Sequence, residues 1–346
     1  MLTVIFGAGA SYDSNPSTPP GTSAGSADRP PLANELFARR STFEQLLDDY
    51  PEVAAIAGEF RSVAQRGSDV EEYLEALYDR SAHDRDLLCQ LAAVRFYISS
   101  AIPFGVQHWS AQAHGVTNYR LLLERLRSRS LSTHDVGSLL TFNYDYLLDE
   151  AWSHTYHHDI ESIDSYVDHQ DAPVLLHLHG STNWYRPITN PGMLGNVFTP
   201  KQAIAKFPDL HFGDIGYRSE RNPSGISIAN DERFQYGVPA LTVPVRSKSH
   251  FECPERHINT MLREVLPATT KALVVGWRAN ERHFLTEWQA SANDSLEIFI
   301  VSGDAAKGNE TGQNIVNSGL KCKLHVLPYG FTELIDSLEL EAILTS

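Results

Sequence analysis

The residues best suited to chemistry stand where apolar runs stop. The first is Val4-Ile-Phe-Gly7-Ala8-Gly9-Ala-Ser11, in which an apolar stretch passes straight into small residues. Glycines there permit a tight turn and a close backbone approach to a pyrophosphate, whose charge N–H groups at a helix start would meet. A G-x-G-x-x-G fingerprint would need glycine at 12, where the chain has Tyr12, and this counts against an ordinary hydride-transfer enzyme. A plain βα turn without a ligand is the competing reading. The second stop, Leu139-Leu-Thr141-Phe-Asn143-Tyr-Asp145, offers an amide and a carboxylate that share a side while the chain stays extended. They could face a ribose or a water, or merely cap a helix, since Asn and Asp are favoured there.

The third stop is Val174-Leu-Leu-His177-Leu-His179-Gly180-Ser181. Its two histidines are expected on opposite faces, with His179, beside Gly180, the candidate base and His177 a packed core residue. The fourth and fifth, Ala272 to Asn280 with Gly276 and Arg278, and Ile298 to Asp304 with Ser302 and Gly303, break at glycine turns. An adenosine could be held at either, or the chain could simply reverse. Gly21-Thr-Ser23-Ala-Gly25 has nucleophile-elbow spacing but lacks the strand–turn–helix context that gives the spacing meaning. His250, Cys253 and His257, and separately His154, His157 and His158, do not complete a four-ligand set, so no metal is expected.

Seven β-branched apolar runs must position these residues: Leu2 to Phe6, Val136 to Phe142, Pro173 to Leu178, Ala240 to Val245, Lys271 to Val275, Ser295 to Val301 and Lys321 to Leu327. Near-continuous hydrophobicity, without strict alternation, predicts strands buried on both faces. The expected fold is therefore α/β, a Rossmann-like, doubly wound, mainly parallel sheet with a helical insertion and a small irregular insertion. Residues 1–31 and 130–346 would form the core, 32–129 the helical insertion, where Val70 to Leu77 and Tyr119 to Leu126 carry helical spacing, and 185–239 the irregular one. The Ser-, Pro-, Gly- and Thr-rich stretch Ser14 to Pro31 follows the first turn directly and is expected to act as a lid. An amphipathic helix from Thr332 to Leu344 would dock on the core or meet another copy.

With 346 residues and 42% hydrophobic content the chain can bury a large core. Its 28 Lys and Arg against 43 Asp and Glu give a net charge of −15, which removes long-range attraction to nucleic acid. Three scattered cysteines fit a reducing, cytoplasmic setting, and no uninterrupted apolar run approaches the roughly 20 residues of a membrane span.

In order and spacing, the five segments resemble the Sir2 family, in particular its bacterial defence-associated NADase branch. The resemblance rests on Gly7 to Ser11, on Thr141-x-Asn143-x-Asp145, on His179-Gly180 and, more loosely, on the turn at Gly276, where Arg278 replaces the usual serine. The zinc-binding cysteine pairs of the protein-deacetylating members are missing. The resemblance implies that NAD is a substrate, cleaved to nicotinamide and ADP-ribose without a metal, in an anti-phage NAD-depletion system. Asn143 would position the ribose, Asp145 touch ribose or water, and His179 act as base. Gly7, Ala8, Gly9, Ser11, Thr141, Gly276, Arg278, Ser302 and Gly303 would hold the dinucleotide. It also implies a homo-oligomer, restrained or triggered by a partner such as a HerA-like ATPase or an Argonaute-like protein. A subunit that binds NAD or ADP-ribose without turnover is the alternative, and a deacylase stands third.

Overall fold

The computed structural model describes residues 1–21, 29–194, 199–219, 227–229, 234–245 and 251–345. The chain opens with β1 (Leu2–Phe6), buried along its whole length, which feeds the short helix α1 (Ala8–Tyr12). Five helices follow: α2 (Ser41–Asp49), α3 (Pro51–Gln65), α4 (Val70–Ser81), α5 (Arg85–Ala113) and α6 (Asn118–Thr133). Side chains start the last three of these, since Asp69, Asp84 and Thr117 accept backbone N–H groups at their first turns. α5 is long and apolar enough to span a bilayer by length and composition, but 67% of that stretch is buried. It is packed by α2, α3, α4 and the later helix α8 (Pro200–Lys206).

β2 (Ser138–Thr141), α7 (Leu147–Tyr156) and β3 (Val174–His177) come next. After them the chain leaves the parallel pattern. β4 (Gly180–Pro187), β5 (Gly216–Tyr217), β6 (Ser227–Ala229) and β7 (Phe234–Leu241) form an antiparallel sheet in the order β5-β4-β7-β6. The apolar run expected as a strand from Ala240 to Val245 thus belongs here: its strand ends at Leu241 and pairs with β4, outside the parallel sheet. Hydrophobicity reported burial correctly, but burial alone does not say which sheet a strand joins. The chain then runs through α9 (Glu255–Thr260), a π-helical turn, and α10 (Leu266–Ala268) into β8 (Lys271–Val275). It closes with α11 (Arg282–Ser291), β9 (Glu297–Val301), α12 (Ala305–Asn317), β10 (Lys323–Leu327), α13 (Phe331–Ile335) and α14 (Leu338–Thr345). The single terminal helix expected from Thr332 to Leu344 is therefore two, parted at Ser337, whose hydroxyl accepts the N–H of Leu340.

The main sheet has six parallel strands in the order β10-β9-β8-β1-β2-β3. This is a Rossmann-like, doubly wound α/β architecture with a helical insertion. The chain winds outward from β1 to β3 on one side, then returns to β8 beside β1 and winds outward on the other. Strand order therefore reverses between β1 and β8, whose registers pair Leu2 to Phe6 with Lys271 to Val275. A crevice must open beyond the carboxyl ends of those two strands, where such sheets hold ligands.

Candidate active site

The crevice at the switch point is a cleft of about 650 Å³, within the range of small-molecule sites. Gly7, Ala8, Gly9, Ser11, Asn143, Asp145, Gly276, Arg278, Ser302 and Gly303 line it. Four of the five segments, up to 296 positions apart (Gly303 against Gly7), are brought together by topology alone. Thr141 and His179 do not line it.

The glycines of the first and fourth segments face each other. A Cβ on Gly7 would lie 2.6 Å from the carbonyl oxygen of Gly276, and one on Gly276 would lie 2.3 Å from the nitrogen of Ala10. Gly276 also holds φ at +63°, which L side chains adopt at a cost. The N–H groups of Gly7 and Gly9 are spent on Val275 and Gly276 carbonyls at 3.0 and 3.1 Å. These glycines let two turns pack back to back. Neither N–H is therefore open to an anion in this conformation, and what the two glycines offer the cleft is a close approach of backbone. Ser302 and Gly303 likewise belong to the turn that starts α12, where the Asp304 carboxylate accepts from Ala306 and Lys307.

The floor of the cleft is a closed hydrogen-bond network. Ser11 Oγ donates to Asp145 Oδ2 at 2.6 Å and accepts from Asn143 Nδ2 at 2.9 Å. Tyr119, from α6, adds its hydroxyl 2.8 Å from Ser11 Oγ and accepts from Asn143 Nδ2 at 3.1 Å. A hydroxyl has one proton and two lone pairs, so Ser11 is saturated once Tyr119 donates to it. The network thereby fixes the amide of Asn143 with its nitrogen inward. Its oxygen Oδ1 is buried and has no hydrogen-bond partner among the described residues. Thr141 contributes from behind, its hydroxyl accepting the Asn143 N–H at 3.1 Å. Asp145 also accepts from Leu147 N at 3.1 Å, holding the first residue of α7 although Tyr146 is the helix's N-cap. Burial raises the Asp145 carboxyl above the usual carboxylate value, against the opposing hydrogen bond from Ser11. Burial and the neighbouring Asp145 charge push Tyr119 well above the usual phenol value, so it stays a protonated donor.

The two histidines part company, but for a reason other than the one expected. Residues two apart in an extended strand share a face. β3 ends at His177, and the bend at 178–179 before Gly180, φ +83°, sends His179 elsewhere. His177 lies beneath the network, its Nε2 2.9 Å from Asp149 Oδ2, while Tyr166 donates to the other Asp149 oxygen at 2.6 Å. Burial opposes the charged imidazole, yet the Asp149 charge and hydrogen bond prevail and hold His177 above its ordinary value. His179 is wholly buried behind Phe142, whose ring it meets edge-on at 4.9 Å. Phe142 stacks on Trp277 at 4.9 Å and 5°, and both rings line the cleft. In this conformation an aromatic wall therefore separates His179 from the cleft.

Arg278 borders the cleft with its side chain half exposed and Asp69 4.0 Å away. Lys307 is the other cation among the lining residues and was not anticipated from sequence. Of the expected lid, residues 22–28 lie outside the described residues, and with them most of the Gly21 to Gly25 motif. Its flanks are anchored. Arg29, 1% exposed, donates to the carbonyls of Tyr12, Thr18 and Pro19 and packs over the rings of Tyr12 and Trp109. His250 also lies outside the described residues, so the His250, Cys253, His257 set cannot be placed. His154, His157 and His158 do not converge; His158 turns instead to His169 and Asp171.

No protein-family model matches the chain, and no curated protein matches it significantly. Among solved structures, a Sir2 homologue in complex with NAD aligns at a TM-score of 0.44 and 14% identity over 99% of this chain and 90% of that one. Sir2Tm bound to a propionylated peptide aligns at 0.38 and 11% over 100% and 94%.

Proposed function

We propose that the chain is an NAD⁺ glycohydrolase, releasing nicotinamide and leaving ADP-ribose. The observation that carries this reading is the buried, unpartnered Oδ1 of Asn143, held rigidly at the floor of a switch-point cleft by Ser11 and Tyr119. A buried polar atom without a partner costs free energy, roughly 1–3 kcal/mol, which a ligand group or water hydrogen-bonding to it would recover. The resemblance of the Gly7 to Ser11 and Thr141 to Asp145 motifs to the Sir2 family supports a ribose hydroxyl or an attacking water as that completing group.

The nicotinamide ring of NAD⁺ is cationic while bonded to C1′; it takes the bond's electron pair and departs neutral, leaving the positive charge on the ribose, so departure requires no acid. What remains for the protein is to orient the ribose, stabilise an oxocarbenium-like centre and place a water. Asn143 Oδ1 would accept from the ribose or the water. When ionised, Asp145 puts negative charge near the developing cation; when protonated, it cannot, and its raised pKa brings that switch closer to working pH. Phe142 and Trp277 form an apolar wall that excludes solvent from the reacting end. Arg278 and Lys307, the two cations among the lining residues, would meet the pyrophosphate. His179 could act as the base only after Phe142 moves, so its share in the first step is indirect.

The test is incubation of purified protein with NAD⁺ and chromatography for free nicotinamide and ADP-ribose. Appearance of both in equal amounts supports hydrolysis. Thermal stabilisation by NAD⁺ with no product would favour the second reading, a subunit that binds the dinucleotide without cleaving it. Operation in anti-phage NAD depletion, as a homo-oligomer in the cytoplasm with an ATPase or Argonaute-like partner, extends this proposal on the motif resemblance.

A further inference from the structure

We propose a transition-metal site, independent of the cleft, formed by His158, His169 and Asp171. One ligand atom from each lies within 4.8 Å of the others. His158 Nε2 is 3.0 Å from Asp171 Oδ1, and the two imidazole rings stack with centroids 4.0 Å apart at 18°. Nε2 of His169 is buried and has no hydrogen-bond partner among the described residues. That nitrogen distinguishes the group from a surface ion pair: a ring nitrogen able to serve as a ligand is held out of water on a residue grouped with a second imidazole and a carboxylate. Tetrahedral ligands at the usual zinc distances stand about 3.3 Å apart. The His158–Asp171 pair is already that close, and the His169 atom, within 4.8 Å of both, needs a closure of at most about 1.5 Å, to which Asp171, its side chain 77% exposed, can adapt.

Two imidazoles and a carboxylate select zinc, nickel, cobalt or copper over magnesium or calcium, and leave a fourth position for water. The place in the fold assigns a structural task. His158 follows the C-terminal end of α7, and His169 and Asp171 lie in the segment entering β3. An ion would pin these two elements at the end opposite the cleft, since the ten residues of α7 span about 15 Å. Asp145 precedes α7 and His177 ends β3, so the clamp would set the spacing of two segments that carry the floor of the cleft.

The experiment is calorimetric titration of chelator-treated, desalted full-length protein with zinc chloride, repeated for His169→Ala, Asp171→Asn and Cys253→Ser. Cobalt(II) absorption would report the coordination. One equivalent of zinc should bind to the wild type and to Cys253→Ser. His169→Ala and Asp171→Asn should each weaken it roughly tenfold or more. Near-UV circular dichroism checks folding, and Asp171→Asn, altering an exposed side chain, keeps the test open should His169→Ala misfold. Absence of saturable binding to the wild type would overturn the site. So would wild-type affinity in Asp171→Asn, or loss of binding in Cys253→Ser alone.

Discussion

Ser11 is where the chemistry of the cleft and the stability of the fold meet, because one hydroxyl joins Asn143, Asp145 and Tyr119. Asn143→Ala removes the oriented oxygen but little apolar contact, so it should fold normally and lose about a hundredfold or more in turnover. Nicotinamide release alongside a thermal melt checks both halves. Asp145 behaves differently. Its folded pKa is raised, so the ionised form is penalised in the folded state, and stability falls as pH rises above the ordinary carboxylate value of 3.8. Asp145→Asn should flatten that acid-side fall while lowering turnover, measurable by denaturant melts between pH 4 and roughly pH 7. His177 gives the same sign in a higher window. Its folded pKa is raised, so its contribution is full below 6.5 and is lost as pH rises through the folded value. His177→Gln should abolish this second fall and cost about 3–5 kcal/mol, the usual penalty for leaving one member of a buried pair behind. A stability profile of the variant parallel to the wild type's would show that the Asp149 pair does not set it.

At the scale of elements, the cleft depends on two turns pressed together. Gly276→Ala combines a left-handed backbone with a Cβ 2.3 Å from the Ala10 nitrogen, so it should destabilise by several kcal/mol and lower expression, read as a fall in melting temperature. The strands of the parallel sheet were legible in the sequence because burial on both faces leaves unbroken apolar runs in its interior, as in β1 and β8, while the edge strand β10 is only partly covered. The seventh run, Ala240 to Val245, carried the same signal yet entered the antiparallel sheet, since pairing direction is decided by connections and not by composition. Asn143, Asp145 and Ser11 were legible as candidates, each close after the end of a strand. Tyr119 was not. It reads as one position in an amphipathic helix, and only the packing of α6 on α7 turns its hydroxyl into the cleft floor. The place of His179 behind Phe142 was not legible: strand alternation puts residues two apart on one face, not on opposite ones, and only the bend at 178–179 parts it from His177.

Seen whole, the molecule carries a net charge of −15, and the cleft shares that balance: eight Asp and Glu residues line it against two cations, Arg278 and Lys307. Those two are the groups available to a doubly charged pyrophosphate, so Arg278→Ala should raise KM for NAD⁺ more than it lowers kcat. The central claim is cleavage of the nicotinamide–ribose bond at the Asn143 floor. Its most direct test is nicotinamide release from NAD⁺ by purified wild type and Asn143→Ala, side by side, with melts showing both folded. The account predicts steady release by the wild type and a loss of about a hundredfold in the variant. Equal release by the two proteins, or none by a wild type that NAD⁺ does not stabilise, would contradict it.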